Sequence, residues 1–237
     1  MQVLKIIQGY KMHIEPGMVD AAKITLSYGT ASAVIIASAK LSYDNIKENN
    51  ILSFLVKVIA STLLVFTFFE IFPHYPVGVS EVHLILGSTL FLLFGVAPAS
   101  VGLALGLLVQ GIFFAQFDLP QYGMNVTTIL VPLMGIAYLA KKVIPQNISY
   151  TELKYSQVLK LSIAYQAGIV TWVAFWAFYG QGFGAENIAS VLSFGSAYML
   201  VIIIEPLADL AILAFAKALK NTLSNTIFIE KRLYNKA

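Results

Sequence analysis

Long apolar stretches with very few charges dominate this sequence. Residues 51–70, ILSFLVKVIASTLLVFTFFE, contain one lysine and one glutamate, and comparable stretches recur as far as residue 216. Charged residues make up 11% of the chain and apolar residues 58%, whereas a soluble domain carries roughly 25% charged residues. Such a chain cannot cover its surface with polar groups. The sequence therefore predicts an all-α integral membrane protein whose helices form one bundle.

Seven apolar stretches approach the length of a spanning helix, which is about 20 residues. The third, 82–96, is too short to cross a bilayer alone, and Pro98 separates it from the fourth. The last is longer than a bilayer requires at about 1.5 Å per residue, so we expect it to tilt or project. The stretches are 20–39, 51–72, 82–96, 98–117, 124–140, 157–179 and 187–216.

Gly102 and Gly106 stand four residues apart in the fourth stretch, within GLALG. This spacing suits close helix packing in a membrane because both glycines lie on one helix face. The same spacing also arises by chance in a glycine-rich segment, so both interpretations stay open.

The basic residues are distributed unevenly. Most of the 15 lysines and arginines lie at alternate connections and near the C-terminus, whereas 73–81, 118–123 and 180–186 hold none. Cytoplasmic connections of membrane proteins carry an excess of lysine and arginine. We therefore expect about seven transmembrane helices, with the N-terminus outside and the C-terminus in the cytoplasm. The residues that support this orientation are Lys40, Lys47, Lys57, Lys141, Lys142, Lys154, Lys160, Lys217, Lys220, Lys231, Arg232 and Lys236.

The chain divides into three expected parts. Residues 12–217 form the membrane domain, and residues 218–237 form a basic cytoplasmic tail. Residues 1–11 form an N-terminal extension that is too short and too weakly apolar for a signal peptide.

Several kinds of site are excluded by what the sequence lacks. Cysteine is absent, so there are no disulfides and no thiolate metal ligands. No Gly-x-x-x-x-Gly-Lys-Ser/Thr run occurs, so the chain is not itself a P-loop ATPase. No nucleophile and base can be paired, so we expect a protein that is not an enzyme and needs no cofactor.

With this orientation, all three histidines lie at the outer face. His13 precedes the first helix, and His74 and His83 flank the connection between the second and third stretches. Neutral imidazole is the commonest ligand for borderline metals such as Ni, Co, Cu and Zn. Interfacial histidines are also ordinary loop residues, which is the interpretation we favour for His74, between two prolines.

His13 has a neighbour that changes what it can bind. If the working chain begins at Met12, its free amine, the amide nitrogen of His13 and the His13 imidazole can close fused chelate rings on one cation. Three nitrogens in a plane suit Ni(II), and a distant histidine could supply a fourth. We therefore expect residues 1–11 to be a misassigned start or a segment removed later.

Four motifs resemble the CbiM/NikM family, the membrane substrate-binding subunits of energy-coupling-factor cobalt and nickel transporters. MHIEPG is similar to the family's N-terminal Met-His-Ile-x-x-Gly, and GVSEVHLILG to its Gly-Thr-Ser-x-His-Leu-x-Gly segment. LLVQGIFFAQFDLPQYGMNV is similar to a Gln-x-x-x-Phe segment that ends in Gly-x-Asn, and VIIIEPL to Ile-Glu-Gly-Leu. The motifs occur in the family's order.

The resemblance implies a ligand set and a group of partners. Its metal ligands correspond to Met12, His13 and His83, and its transported substrate is Ni²⁺ or Co²⁺. It implies a transmembrane coupling subunit, two cytoplasmic ATPase subunits and a small accessory membrane subunit. It also implies a multi-pass protein of a bacterial or archaeal cytoplasmic membrane. We expect contact with the lipid bilayer and none with nucleic acid.

The chain departs from the family pattern at several positions. It starts eleven residues before Met12, and the spacing within GVSEVH is one residue longer than usual. Thr128 and Ile129 stand where the family has Asn-Met, and Tyr198 stands where many members have histidine.

Four further polar residues lie within apolar stretches. Gln110 and Asn125 are expected either to orient the ligand histidines or to form plain hydrogen bonds between helices. Glu205 and Asp209 are four apart and so share one helix face. Because they lie toward the cytoplasmic end, we expect them to bond neighbouring helices or to contact the coupling subunit.

The leading hypothesis is a capture subunit of an ATP-driven importer for Ni²⁺ or Co²⁺. One alternative is a capture subunit of the same type for another metal or a small organic molecule. Another is a stand-alone secondary transporter that uses Glu205 and Asp209 as a proton path.

Overall fold

The computed structural model describes residues 14, 17–20, 22–224 and 226–236, which fold into helices and one short hairpin. The helices are α1 (Thr25–Asn49), α2 (Ile51–Glu70), α3 (Gly87–Phe94), α4 (Val96–Phe113), α5 (Tyr122–Val143), α6 (Tyr155–Gln181), α7 (Ala185–Met199), α8 (Val201–Ala218) and the one-turn α9 (Lys220–Leu223). The hairpin pairs β1 (Tyr75–Val77) with β2 (Ser80–Val82) in antiparallel register.

The predicted all-α membrane class is confirmed. Five helical segments of the described chain are long and apolar enough to cross a membrane: Ile51–Glu70, Val96–Phe113, Gln116–Val143, Tyr155–Gln181 and Ala185–Ala218. They cover five of the seven predicted stretches. Helix α1 is not among them because serine, threonine and glycine are frequent among its apolar residues, as in TLSYGTAS, and α3 has only 8 residues. The count of seven crossings stays a prediction.

The described chain has two distinct ends. One end, which we call the histidine end, contains residues 71–83, 114–121 and 182–184. The other, the lysine end, contains residues 144–154 and 219–236. Gln181 at the histidine end hydrogen-bonds the carbonyls of Gly17 and Met18, and Arg232 at the lysine end hydrogen-bonds those of Ile144 and Pro145. The chain segments near the two termini therefore lie at opposite ends of the bundle.

Helix α3 occupies the centre of the bundle and corrects the prediction for residues 82–96. Only Gly87–Phe94 is helical, and it contacts α2, α4, α5, α6 and α8. It ends at Gly95, whose positive φ of 83° a glycine adopts without steric cost. Pro98 does not separate α3 from α4, because it lies in the first turn of α4, where no intrahelical N–H is needed.

The predicted stretch 187–216 forms two helices that meet at Leu200. Leu200 donates its N–H to Ala197, three residues back, rather than continuing the regular pattern. Pro206 follows in α8, where its ring removes one backbone donor and crowds the carbonyl four residues earlier. Leu200 keeps right-handed helical angles, with φ −66° and ψ −25°, so Ala185–Ala218 remains one helical segment with a local irregularity, and its tilt or projection stays a prediction.

The C-terminal segment packs against the lysine end. Glu230 donates its backbone N–H to the carbonyl of Leu93 at 2.7 Å, and its carboxylate lies 3.8 Å from the ammonium of Lys57. Leu233 is fully buried. Lys57, which the sequence predicts at the first connection, instead lies within α2 and is 1% exposed, where Glu230 supplies the opposite charge.

Helices α2 and α4 run parallel and pack closely through glycine. Gly102 faces Ser61, and Gly106 faces Val65 one turn further along both helices. A Cβ at Gly102 would lie 3.0 Å from the backbone carbonyl carbon of Ser61. The absence of side chains at both positions therefore allows the two backbones to approach.

We expect Gly102→Ala to destabilise the protein by about 1–3 kcal/mol, because the added Cβ overpacks the contact with Ser61. Gly135→Ala on α5 is the matched control, since a Cβ there meets nothing within 4 Å. Thermal unfolding of the detergent-purified variants measures the difference. Equal melting temperatures for the two variants would contradict this packing.

Candidate metal-capture site

A small cavity lies at the histidine end, where several predicted site residues meet. Its walls include Ile14, Glu81, His83, Asn125 and Tyr198. Its volume is about 20 Å³, and one water molecule needs about 10–15 Å³ by the same measure. Sites for small organic ligands have volumes of about 300–1,000 Å³. The cavity is therefore the size of a single ion or water.

His83 reaches this cavity from a non-helical segment. It follows β2 directly, and the hairpin turn before it uses Gly78 at a φ of 62°. This is the position at which a two-residue hairpin turn favours glycine. The His83 side chain is 6% exposed, and its ring packs edge-on against Phe69 with the ring centroids 5.0 Å apart. The hairpin and Phe69 together hold the imidazole at the cavity wall.

Asn125 joins α5 to the N-terminal segment. Its Oδ1 accepts a hydrogen bond from the backbone N–H of Ile14 at 3.3 Å. Ile14 is 2% exposed and lines the cavity beside His83. The predicted ligands Met12 and His13 lie outside the described residues, and His13 is the residue directly before Ile14 in the chain.

The next residues of the N-terminal segment are held by the end of α6. The side-chain amide of Gln181 donates to the carbonyls of Gly17 and Met18, at 3.0 and 2.9 Å. The Lys23 ammonium donates to the carbonyl of Gly180 at 3.1 Å. A Cβ at Gly180 would overlap the Met18 carbonyl oxygen, so only glycine allows this approach.

Gln110 lies in a neighbouring cavity. That cavity has a volume of about 10 Å³, contains Asp118 in its wall and shares Leu107 and Asn125 with the first. Gln110 is 1% exposed and Asp118 is 5% exposed. Asn125 therefore stands between the two cavities, and Gln110 is one step further from His83.

Glu205 and Asp209 lie outside the wall of the His83 cavity. Both are fully buried on α8. Glu205 accepts hydrogen bonds from the Leu86 N–H and from the side chains of Ser162 and Gln166, whereas Asp209 accepts from the hydroxyls of two residues at the start of α3. Their oxygens face the protein interior.

His74 is half-buried and lies apart from the cavity, with its Nδ1 3.2 Å from the carbonyl oxygen of Phe72. Among the described residues, no three His, Asp or Glu side chains form a group that could hold a metal.

Tyr198 is a wall residue that was not among the ligands predicted from the sequence. It is 1% exposed, and its hydroxyl has no hydrogen-bond partner within the described part of the chain. The only signal in the sequence was its position, where many CbiM/NikM members have a histidine. Ile14 was not predicted as a wall residue, because cavity walls depend on how distant segments pack, whereas the sequence places Glu81 with the histidines at the outer face.

Comparison with protein families shows which family the chain belongs to. A family model described as "CbiM: Cobalt uptake substrate-specific transmembrane region" matches residues 13–223. The chain belongs to the CbiM family. The membership confirms the resemblance seen in the sequence and makes this protein a substrate-specific membrane component of the cobalt-uptake type. No curated protein and no solved structure matches the chain.

We expect Gly180→Ala to loosen the N-terminal segment, because its Cβ would displace the Met18 carbonyl. Amide hydrogen exchange of residues 17–20, measured by mass spectrometry, should become about tenfold faster as this segment opens locally. Gly184→Ala is the control, since a Cβ there meets nothing within 4 Å. If both variants exchange like the parent protein, the contact does not hold the segment.

Proposed function

We propose that this CbiM-family protein is the substrate-capture subunit of an ATP-driven energy-coupling-factor importer for Ni²⁺ or Co²⁺. The proposed metal ligands are Met12, His13 and His83. The observation that carries the proposal is the ion-sized cavity beside His83, with Ile14 anchored on its wall.

The anchored position of Ile14 limits where the proposed chelate can bind. Two residues span at most about 7 Å of extended chain, so the Cα of Met12 lies no further than that from the Cα of Ile14. The Met12 amine, the His13 amide and the His13 imidazole would then occupy three sites around one cation. His83 would supply the fourth nitrogen, which suits a square-planar ion.

The structure bears on the competing substrates and mechanisms. A cavity of about 20 Å³ favours a cation over a small organic molecule. The hydrogen bonds accepted by Glu205 and Asp209 inside the protein favour a structural role over a proton path through a stand-alone transporter. The family description names cobalt, while the planar nitrogen set suits Ni(II), so both ions are proposed substrates.

The remaining parts of the proposal follow from this role. Asn125 and Gln110 would orient the site through hydrogen bonds, Asn125 through the Ile14 amide. A transmembrane coupling subunit and two ATPase subunits, with a small accessory membrane subunit, would supply the energy, since this chain performs no covalent chemistry. Residues 1–11 would be absent from the working protein, which frees the Met12 amine.

We expect His83→Ala to lower the affinity for Ni²⁺ and Co²⁺ at least tenfold, because it removes one of four nitrogen ligands. His74→Ala is the matched control, because that imidazole lies outside the cavity. Titration of the purified protein with each metal measures the change. Equal affinities for both histidine variants would exclude His83 as a ligand.

A protein that starts at Met12 should bind Ni²⁺ at least tenfold more tightly than one that retains residues 1–11, because only the shorter form has a free amine at Met12. The same titration compares the two forms. Equal binding, or an intact Met1 found by sequencing the working protein, would rule out the amine as a ligand.

The histidine end is proposed to face outward and the lysine end the cytoplasm. The chain contains no cysteine, so single cysteines can report the orientation. In intact cells, a membrane-impermeant maleimide should label Gly184→Cys and leave Lys220→Cys unlabelled until the cells are lysed. The reverse pattern would invert the orientation.

A further inference from the structure

The segment that carries His83 is tied to two carboxyl groups on α8. We propose that Glu205 and Asp209 are positioning residues that hold the start of α3 and thereby fix His83 at the cavity. This inference rests on the proposed function of His83, and it assigns a role to the two acidic residues that lie outside the cavity wall.

The start of α3 needs partners from other helices. The first N–H groups of a helix have no acceptor within the helix, and Leu86, which precedes α3, supplies no side-chain cap. Inside a membrane bundle there is no bulk water to replace them. Glu205 Oε1 accepts the Leu86 N–H at 2.8 Å. Asp209 accepts from the hydroxyls of Ser88, at 2.8 Å, and Thr89.

The spacing of the two carboxyl groups matches the segment that they hold. Glu205 and Asp209 lie one turn apart on the same face of α8. They therefore meet Leu86 and the first turn of α3 together. The pair thus binds the start of α3 by direct hydrogen bonds.

The backbone conformation of Leu86 is unfavourable by itself, so it relies on the hydrogen bond to Glu205. Its φ is 53° and its ψ is 37°, the left-handed conformation that residues with a side chain rarely adopt. Such a conformation persists only where the surrounding structure enforces it. The hydrogen bond to Glu205 acts on the N–H of this residue, three positions after His83. Its loss would let Leu86 relax and turn the preceding chain away from the cavity.

Glu205 is itself held from α6. Its Oε2 accepts from the Ser162 hydroxyl at 3.1 Å and from the Gln166 amide. Ser162 and Gln166 lie one turn apart on α6 and are fully buried. A continuous series of hydrogen bonds therefore runs from α6 through Glu205 to Leu86, and the backbone continues to His83.

The test uses two substitutions at one position in the full chain. Glu205→Leu removes every acceptor for the Leu86 N–H, whereas Glu205→Gln keeps one oxygen that can accept it. We expect the affinity for Ni²⁺ to fall at least tenfold in Glu205→Leu and to stay within about threefold of the parent protein in Glu205→Gln. Asp209→Leu should have a smaller effect, because its partners lie further from His83.

A second measurement reports the position of His83 without any metal. The chain has three histidines, so their ring signals can be resolved by NMR of protein labelled with ¹⁵N-histidine, and His83→Ala identifies the His83 signal. We expect this signal to shift in Glu205→Leu and to return toward its parent position in Glu205→Gln. A purely structural loss would not produce this selective rescue.

Phe54→Leu controls for general destabilisation. Phe54 is buried in a separate cluster with Val58 and Ala97, away from the His83 cavity. It should lower the melting temperature and leave both the His83 signal and the Ni²⁺ affinity unchanged.

The possible results separate this inference from the proposed function. An unchanged His83 signal in Glu205→Leu would overturn the positioning role, whatever the metal affinity. If the His83 signal shifts in Glu205→Leu but the parent protein binds neither Ni²⁺ nor Co²⁺, the positioning role is supported and the proposed function is overturned. A shift in the signal with a loss of affinity, both rescued by Glu205→Gln, would support both.

Discussion

The burial of the short helix α3 at the centre of the bundle is the constraint on which the rest of the structure depends. Backbone groups inside an apolar bundle must find partners within the protein. Helix α3 begins and ends there, so both of its ends need acceptors or donors from elsewhere. Glu205 on α8 accepts the N–H of Leu86 just before α3, Asp209 accepts the hydroxyls of Ser88 and Thr89 in its first turn, and the N–H of Glu230 reaches the Leu93 carbonyl near its end. Five longer helices pack around it.

This arrangement explains how a histidine comes to lie in a small buried cavity. A continuous helix over residues 82–96 would carry His83 on a helix surface. Instead, His83 follows the hairpin in a non-helical segment, and its ring packs against Phe69. Asn125 contributes to the wall of the same cavity. The non-helical residues 83–86 are buried or half-buried within the protein, which is where a membrane bundle tolerates irregular backbone. Ile14 lines the same cavity and is held by Asn125, and the residues of the proposed chelate, Met12 and His13, directly precede it in the chain.

Much of the helix pattern could be predicted from the sequence, because apolar length is a direct requirement of the bilayer. The five long segments agree with the predicted stretches to within a few residues at most ends. The error lies at 82–96, where apolar composition alone cannot show whether a stretch is continuous. Gly95 ends α3 there, because its φ of 83° lies outside the helical region. Lys57 was misplaced because its partner, Glu230, is distant in the chain.

The sequence by itself determined the membrane class, the family and the identity of His83 and Asn125 as residues worth following. These are properties of composition and of short motifs, which do not require knowledge of packing. Only the tertiary structure decided that Ile14, Tyr198 and Asn125 share one ion-sized cavity with His83. It alone showed that Glu205 and Asp209 hydrogen-bond the start of α3 and do not line the cavity, because hydrogen bonds between residues about 120 positions apart form only when the helices have packed.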